Sequence, residues 1–257
     1  MDLIHPTAQI SSKAELGKNV KVGPFAIIED GVAIGDGTEV MGHAQVLRGA
    51  TIGQDCVIHP GAVVSGIPQD LKFGGDETYA KLGDRVTVRE YVTINRGTDG
   101  GNPGTIIGSD VLLMACVHVG HDTIIGNCAV IANAVLFGGY AVIGDYAGIG
   151  GGTPVHQFCR IGDHAFVAGG FRVVQDVPPF ITAGGEPLRY SGLNSTGLKR
   201  RGFSQETRNL IKRAYREIFR SDKNIKQALE VLHQDFEQTT EIQSIISFLE
   251  NSERGLI

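Results

Sequence analysis

Isoleucine, leucine or valine recurs at every sixth residue from Ile4 to Val64 without a miss. The period returns at Leu82, Val88 and Ile94, then runs from Ile107 to Val173, with Phe137 its one non-aliphatic member. Six matches neither the 3.6 of a helix nor the period of two of a simple strand, so the pattern is that of a solenoid. With the large apolar residue counted as position one, position five holds Ala8, Ala14, Val20, Ala26, Val32, Thr38, Ala44, Ala50, Cys56 and Ala62, all small or β-branched. Position two is often glycine, as at Gly17, Gly23, Gly35, Gly53, Gly126 and Gly144, which the pattern suggests is the turn residue between short strands.

Positions five and one are two residues apart, so in an extended chain both side chains point to the same face, here the interior. Three hexads then make one triangular turn of about 18 residues, and successive turns stack about 4.8 Å apart. Roughly 26 hexads predict eight to nine turns in a column on the order of 40 Å tall, each turn touching only its neighbours. A β-sandwich has no need of a strict six-residue period, so the expected architecture is a parallel β-helix. The period does not give its hand, and ordinary parallel crossovers are right-handed.

The chain has 257 residues, 36 of them glycine and none tryptophan, which suits a turn-rich coil. It has no apolar run near 18 residues, and Met1-Asp2-Leu3-Ile4-His5-Pro6 lacks a basic segment followed by an apolar one, so neither a membrane span nor a signal peptide is expected. Cys56, Cys116, Cys128 and Cys159 show no CxxC spacing, and Cys56 and Cys159 occupy inward position five; reduced structural thiols of a cytoplasmic protein are expected.

The repeat stops near Pro178-Pro179, and from Ser204 the period becomes helical, with Leu210, Ile211, Ala214, Tyr215, Ile218 and Phe219 forming one stripe. Two further helices are expected near 224–237 and 241–252, the second opened by a Thr240–Gln243 capping box. The expected division is a β-helix over 1–190 and a small helical domain over 191–257. Residues 199–226 carry ten Lys/Arg against three Asp/Glu, whereas the remainder carries thirteen against twenty-five. Arg208, Lys212, Arg216 and Arg220 put positive charge on one helix face, either a solvated surface or a dock for an acidic partner. The acidic total, and basic residues without interleaved aromatics, argue against nucleic acid.

Two insertions interrupt the hexads, near 66–81 and 99–105. Corner loops are where a solenoid carries function. The second is glycine-rich but leads into no helix, so it is not a phosphate loop. The first places Asp70 and Lys72 beside Phe73 and is the better candidate for ligand contact. His121 takes position three of its hexad and faces outward, because Val119 and Thr123 take the inward positions. An outward imidazole suits general-base work, but spacing alone does not separate that role from an idle surface histidine. His118 and His121 lie on either side of a corner with no further converging ligand, so no metal is expected.

Several stretches resemble the UDP-N-acetylglucosamine O-acyltransferases that begin lipid A synthesis, a branch of the hexapeptide-repeat acyltransferase family. They are Pro68-Gln69-Asp70-Leu71-Lys72-Phe73, Val92-Thr93-Ile94-Asn95-Arg96-Gly97-Thr98, His118-Val119-Gly120-His121-Asp122, Val155-His156-Gln157-Phe158-Cys159, Gln175-Asp176-Val177-Pro178-Pro179 and Gly197-Leu198-Lys199-Arg200-Arg201-Gly202-Phe203. The resemblance implies a mostly β fold, a left-handed parallel β-helix followed by a small C-terminal α-helical domain. It also implies a homotrimer with active sites in clefts between prisms. In such an enzyme His121 removes the proton of the sugar 3-hydroxyl, which attacks the thioester of a (R)-3-hydroxyacyl chain. No cofactor is bound, the chain arriving on the phosphopantetheine of acyl carrier protein. The resemblance assigns Asp122 to orienting the imidazole and the Gly139 N–H to the oxyanion. It puts Asp70, Lys72, His118, His156 and Gln157 near sugar and acyl chain, and Asn194, Arg200 and Arg201 near the nucleotide. Gly169 becomes the acyl-length position, and the basic helix a dock for acidic acyl carrier protein.

Three positions depart from the resemblance. Tyr140 and Asn95 replace histidines, and Thr196 replaces an acid near the ribose. They leave open a 3-amino sugar as acceptor. Other rivals are the N-acyltransferase later in the same pathway, which carries an extra N-terminal domain for which hexads starting at Ile4 leave no room, an acetyl-coenzyme A acetyltransferase, and a non-catalytic trimeric scaffold.

Overall fold

A computed structural model of the chain describes residues 3–98 and 104–257. Its repeating unit is a two- or three-residue strand followed by a corner, as a six-residue period demands. Three parallel sheets result. Sheet one begins at Gln9–Ile10 and has eight strands; sheet two begins at Glu15–Leu16 and has eight; sheet three begins at Lys21–Val22 and has ten. Gln9 pairs with Ile27 and Ile10 with Ile28, one 18-residue turn onward, and the same step recurs up the column. Chain neighbours therefore lie on different sheets and bond only to the coil above and the coil below. The prism is a left-handed β-helix, the opposite hand to ordinary crossovers.

The interior holds positions one and five. Val64, Ile94, Val119, Phe137 and Val155 stack in register along sheet one, with the small residues of position five between the large ones. Cys56 and Cys159 are buried among them, and burial pushes the Cys159 thiol up to about 11, so it behaves as a small apolar group.

The role expected of position two is corrected by the structure. Its glycines do not turn the chain; position four does. Asn19, Phe25, Gly31, Gly37, His43, Gly49, Asp55 and Gly61 all have φ between 52° and 84°. Position two is glycine for a steric reason, since a Cβ on Gly35 would lie 2.6 Å from the carbonyl carbon of Gly53 in the next coil.

Both insertions leave from the corner between sheets one and two. The first spans 67–79, because Val63–Gly66 and Ala80–Leu82 are strands. Of the second, only Gly104 and Thr105 are among the described residues, Thr105 opening the strand Thr105–Ile107; Asp99, Gly100, Gly101, Asn102 and Pro103 lie outside them.

At the top, Ile181–Gly184 adds to sheet three in parallel and Arg189–Leu193 returns antiparallel. Four helices follow: α1, Ser195–Arg200; α2, Gln205–Phe219; α3, Ile225–Asp235; and α4, Thr240–Glu250. No helical periodicity announced α1. The expected capping box is also corrected: Thr239, not Thr240, caps α4, by accepting from the Ile242 N–H, and the reciprocal box belongs to α3, between Asn224 and Gln227. The helices are tied to the coil by polar as well as apolar contacts. Buried Tyr215 donates to the Pro179 carbonyl at 2.6 Å, and buried Asp176 accepts from the Arg160 N–H and the Ser252 hydroxyl, both at 2.8 Å. No helix among the described residues is long and apolar enough to cross a membrane.

Two stability measurements check this account. Gly35→Ala should destabilise the fold by about 1–3 kcal/mol in denaturant unfolding through overpacking, whereas Gly31→Asn, at an open position of positive φ, should change it by less than about 1 kcal/mol. Tyr215→Phe should cost about 1–2 kcal/mol, because the buried Pro179 carbonyl loses its donor.

Candidate active site

The corner between sheets one and two carries the catalytic candidates, in two vertical columns. Position three gives His121, Gly139 and Gln157 on successive coils; position four gives Asp122, Tyr140 and Phe158. From Asn19 onward position four takes the left-handed conformation at nearly every described corner, and Asp122, Tyr140 and Phe158 all do, with φ of 58°, 60° and 64°.

The imidazole stands outside the prism, as position three requires, but its side chain is only 15 % exposed. It leans on the next coil, where a Cβ on Gly139 would lie 2.4 Å from its Cε1 and 2.5 Å from its Nε2, so this pose requires glycine at 139. Tyr140 meets the ring edge-on at a centroid distance of 5.3 Å. His121 Nδ1 lies 2.9 Å from Asp122 Oδ2, and the Asp122 side chain is fully buried. An ionised carboxylate only accepts, so Nδ1 carries the proton and Nε2 keeps its lone pair. Among the described residues Nε2 has no hydrogen-bond partner. The same Asp122 oxygen accepts from the Thr98 N–H at 3.0 Å and the Thr98 hydroxyl at 2.7 Å. The Asp122 N–H donates to Thr105 Oγ1 at 2.9 Å. This arrangement can take a proton from a bound hydroxyl and hold it on the ring.

His118 is on sheet one's outer face, its Nδ1 2.8 Å from Thr93 Oγ1. Burial first, then the His121 imidazole, holds His118 below the ordinary histidine range, so it is neutral at neutral pH. His156 and Gln157 are exposed two coils above His121, and Arg254 from the C-terminal tail reaches His156 Nδ1 at 3.1 Å. Asp70 and Lys72 lie on the inserted loop, where Asp70 Oδ1 accepts from the Lys72 N–H, and Arg96 lies over the Phe73 ring at 5.6 Å. Asn95 is buried and donates to the Ile67 carbonyl, with its Oδ1 unpartnered among the described residues.

The remaining residues stand elsewhere on the single chain. Asn194 caps α1 and donates to the His164 carbonyl at the corner between sheets two and three. There Arg201 covers the Tyr146 ring at 4.2 Å, Tyr146 stacks on His164, and burial drives His164 down to about 4. Arg200 and Thr196 are exposed on α1. Gly169 is on the third corner, between sheets three and one, where a Cβ would lie 2.9 Å from the Gly151 carbonyl oxygen, so coil stacking by itself favours glycine. On α2, Lys212, Arg216 and Arg220 are exposed and Arg208 half-buried, opposite buried Ile211, Ala214, Tyr215 and Ile218.

Thr98, Thr93, Phe158 and Arg254 were not anticipated as neighbours of the site. The 18-residue column, continued across the insertions, would have located the first three; Arg254 arrives from the tail beyond the helices, outside any column. Among the described residues no group of three or more His, Cys, Asp or Glu is placed to hold a metal ion.

Comparison with known proteins gives the family. Residues 176–257 match the family model described as UDP N-acetylglucosamine O-acyltransferase, domain 2, and residues 31–66 match bacterial transferase hexapeptide repeats. The chain is 54 % identical over 256 residues to the acyl-[acyl-carrier-protein]–UDP-N-acetylglucosamine O-acyltransferase of Chlorobaculum parvum, covering 99 % of this chain and 97 % of the relative. It is 44 % identical to that of Thermodesulfovibrio yellowstonii, covering 100 % of this chain and 99 % of the relative. The crystal structure of the UDP-N-acetylglucosamine acyltransferase of Bacteroides fragilis superimposes with a TM-score of 0.95 at 44 % identity, over 98 % of this chain and 99 % of that one. That of Moraxella catarrhalis gives 0.95 at 38 %, over 100 % of both. With relatives this similar along its whole length, the chain belongs to the UDP-N-acetylglucosamine O-acyltransferase family.

Proposed function

We propose that this protein transfers a (R)-3-hydroxyacyl chain from acyl carrier protein to the 3-hydroxyl of UDP-N-acetylglucosamine, the first step of lipid A synthesis, with His121 as general base. The observation that carries this reading is the His121–Asp122 pair, with Nε2 unpartnered among the described residues and lying over Gly139, in a chain of this family. Nε2 takes the hydroxyl proton as the sugar oxygen attacks the thioester carbonyl. Asp122, buried and ion-paired to Nδ1–H, stabilises the imidazolium that forms. The Gly139 N–H has no acceptor among the described residues and lies beside the ring, where it can donate to the tetrahedral oxyanion, a contact worth roughly 3 kcal/mol. The intermediate collapses by breaking the C–S bond, and the imidazolium returns its proton to the departing carrier thiolate. The acyl chain arrives on the carrier's phosphopantetheine arm, so no resident cofactor is needed.

The working unit in this reading is a homotrimer. Asn194, Arg200 and Arg201 stand on the corner between sheets two and three, away from the His121 corner. A second copy that sets this corner beside the first copy's His121 completes a site from both, and cyclic closure repeats that cleft three times. His118, neutral and held by Thr93, offers a polar wall for the sugar without competing for its proton. Asp70, Lys72, His156 and Gln157 line the approach, and Gly169 bounds the acyl end. The reaction belongs in the cytoplasm, where cysteines remain thiols.

The test offers purified protein UDP-N-acetylglucosamine with hydroxyacyl carrier proteins of several lengths, beside acetyl-coenzyme A and a 3-amino analogue of the sugar. Mass spectrometry should find the O-acyl sugar with the carrier donors. Product from acetyl-coenzyme A alone, or much faster transfer to the amine, would replace this reading with its rivals. His121→Ala should lower kcat by about 10²–10⁴-fold, with the melting temperature shifting by no more than about 2 °C because the ring lies outside the core. A scaffold would tolerate that change.

The exposed basic face of α2 fits the acidic surface of an acyl carrier protein. Lys212→Glu with Arg216→Glu should raise KM for the acyl carrier about tenfold at low salt, leave KM for the nucleotide sugar unchanged, and lose part of its effect as salt screens the contact. Equal changes in both KM values would argue against a docking role.

A further inference from the structure

Tyr140 stands one coil beyond the catalytic pair, and its side chain reaches back past that coil to the one before it. Its hydroxyl lies 3.0 Å from Thr98 Oγ1, which lies 2.7 Å from Asp122 Oδ2, which in turn lies 2.9 Å from His121 Nδ1. With Asp122 ionised, one proton arrangement fits this chain. Asp122 is an acceptor, so the single Thr98 hydroxyl proton is committed to it. Thr98 Oγ1 must then accept from Tyr140, which donates. Phe158 stacks on Tyr140 at 5.0 Å and 11°, fixing the ring plane that aims the hydroxyl at Thr98. Tyr140 is also edge-on to His121, so one side chain touches the base directly and its orienting carboxylate through Thr98.

We infer that Tyr140 and Thr98 are positioning residues, a hydroxyl relay that fixes Asp122 so that His121 is held with its proton on Nδ1 and its lone pair on Nε2. This inference rests on the proposed role of His121. It also gives a use to one departure from the family resemblance, since the phenol supplies a directed O–H that ends on the pair's own carboxylate. The geometry favours such a relay over a passive filler. A side chain present only to fill the corner would need the ring and its stack on Phe158, whereas here the hydroxyl is also bonded to Thr98, whose one hydroxyl proton points at the Asp122 carboxylate. Removing that hydroxyl leaves the ring in place, so the two roles separate cleanly.

Tyr140→Phe should lower kcat about tenfold while leaving KM for both substrates within about twofold. Thr98→Val should do the same, and the double variant should lose no more than Thr98→Val alone, since both act on one chain. Thr98→Ser, which keeps the hydroxyl, should recover most of the kcat lost by Thr98→Val. In 15N-histidine spectra of the intact protein, either lesion should move His121 away from the Nδ1–H tautomer. Wild-type kcat with an unchanged tautomer in Tyr140→Phe, or losses that multiply in the double variant, would overturn the relay. If the protein transfers no acyl chain, or His121→Ala remains active, the proposed reaction fails by itself, and the tautomer measurement still decides the relay.

Discussion

The hydrogen bonds between one coil and the next set the position of every group on the prism itself. Residues 18 apart lie about 4.8 Å from one another across a parallel ladder, so the molecule is built of vertical columns. A one-residue slip would turn the inward set outward and is resisted by the entire apolar column. The same closeness explains position two. With backbones stacked this tightly at the corners there is no room for a Cβ between Gly35 and Gly53, or between Gly126 and the Asp145 N–H at 2.7 Å.

Columns bring together residues that are distant in sequence. Thr98, Asp122, Tyr140 and Phe158 come from four successive coils yet form one connected cluster, through three hydrogen bonds and a ring stack. The two insertions leave from this same corner and disturb nothing inside the prism, because a coil contacts only its neighbours and a loop can project without breaking the ladder. The result is a ledge for the base whose place is fixed by the ladder.

The aliphatic period made the prism legible because it acts on the interior, where chemistry is uniform. The corners were harder. Position four adopts positive φ at most corners, yet Phe25, His43, Asp55, Arg85 and Tyr91 hold it as well as glycine does, so no residue type announces it. His121 was marked as outward by its phase, but a phase carries no chemistry, and only the motif resemblance singled it out as a base. Thr98 was hidden for another reason: the insertion after it breaks the count, so its column with Asp122 is not readable from spacing. Gly169 carries two meanings, an acyl boundary by resemblance and a packing requirement against Gly151 by geometry, and a sequence does not separate them. Helix α1 has six residues and no stripe long enough to register.

The corner conformation also explains why the catalytic pair can consist of adjacent residues. In a strand, neighbouring side chains point to opposite faces, and an imidazole could not meet the carboxylate that follows it. At the corner, the positive φ of Asp122 folds its side chain back beneath the coil while His121 leans onto the coil above. The two then meet at 2.9 Å, with the carboxylate buried and the ring outside the prism. The backbone state that recurs at most corners of the prism is thus the one that forms the dyad. Asp122 adds only a short side chain, of a type that tolerates this conformation better than most. Gly97 completes the fit, because a Cβ there would press on the Asp122 carboxylate at 2.8 Å. The repeat supplies the geometry, and three local choices, glycine at 97, aspartate at 122 and glycine at 139, turn one corner among many into a site for proton transfer.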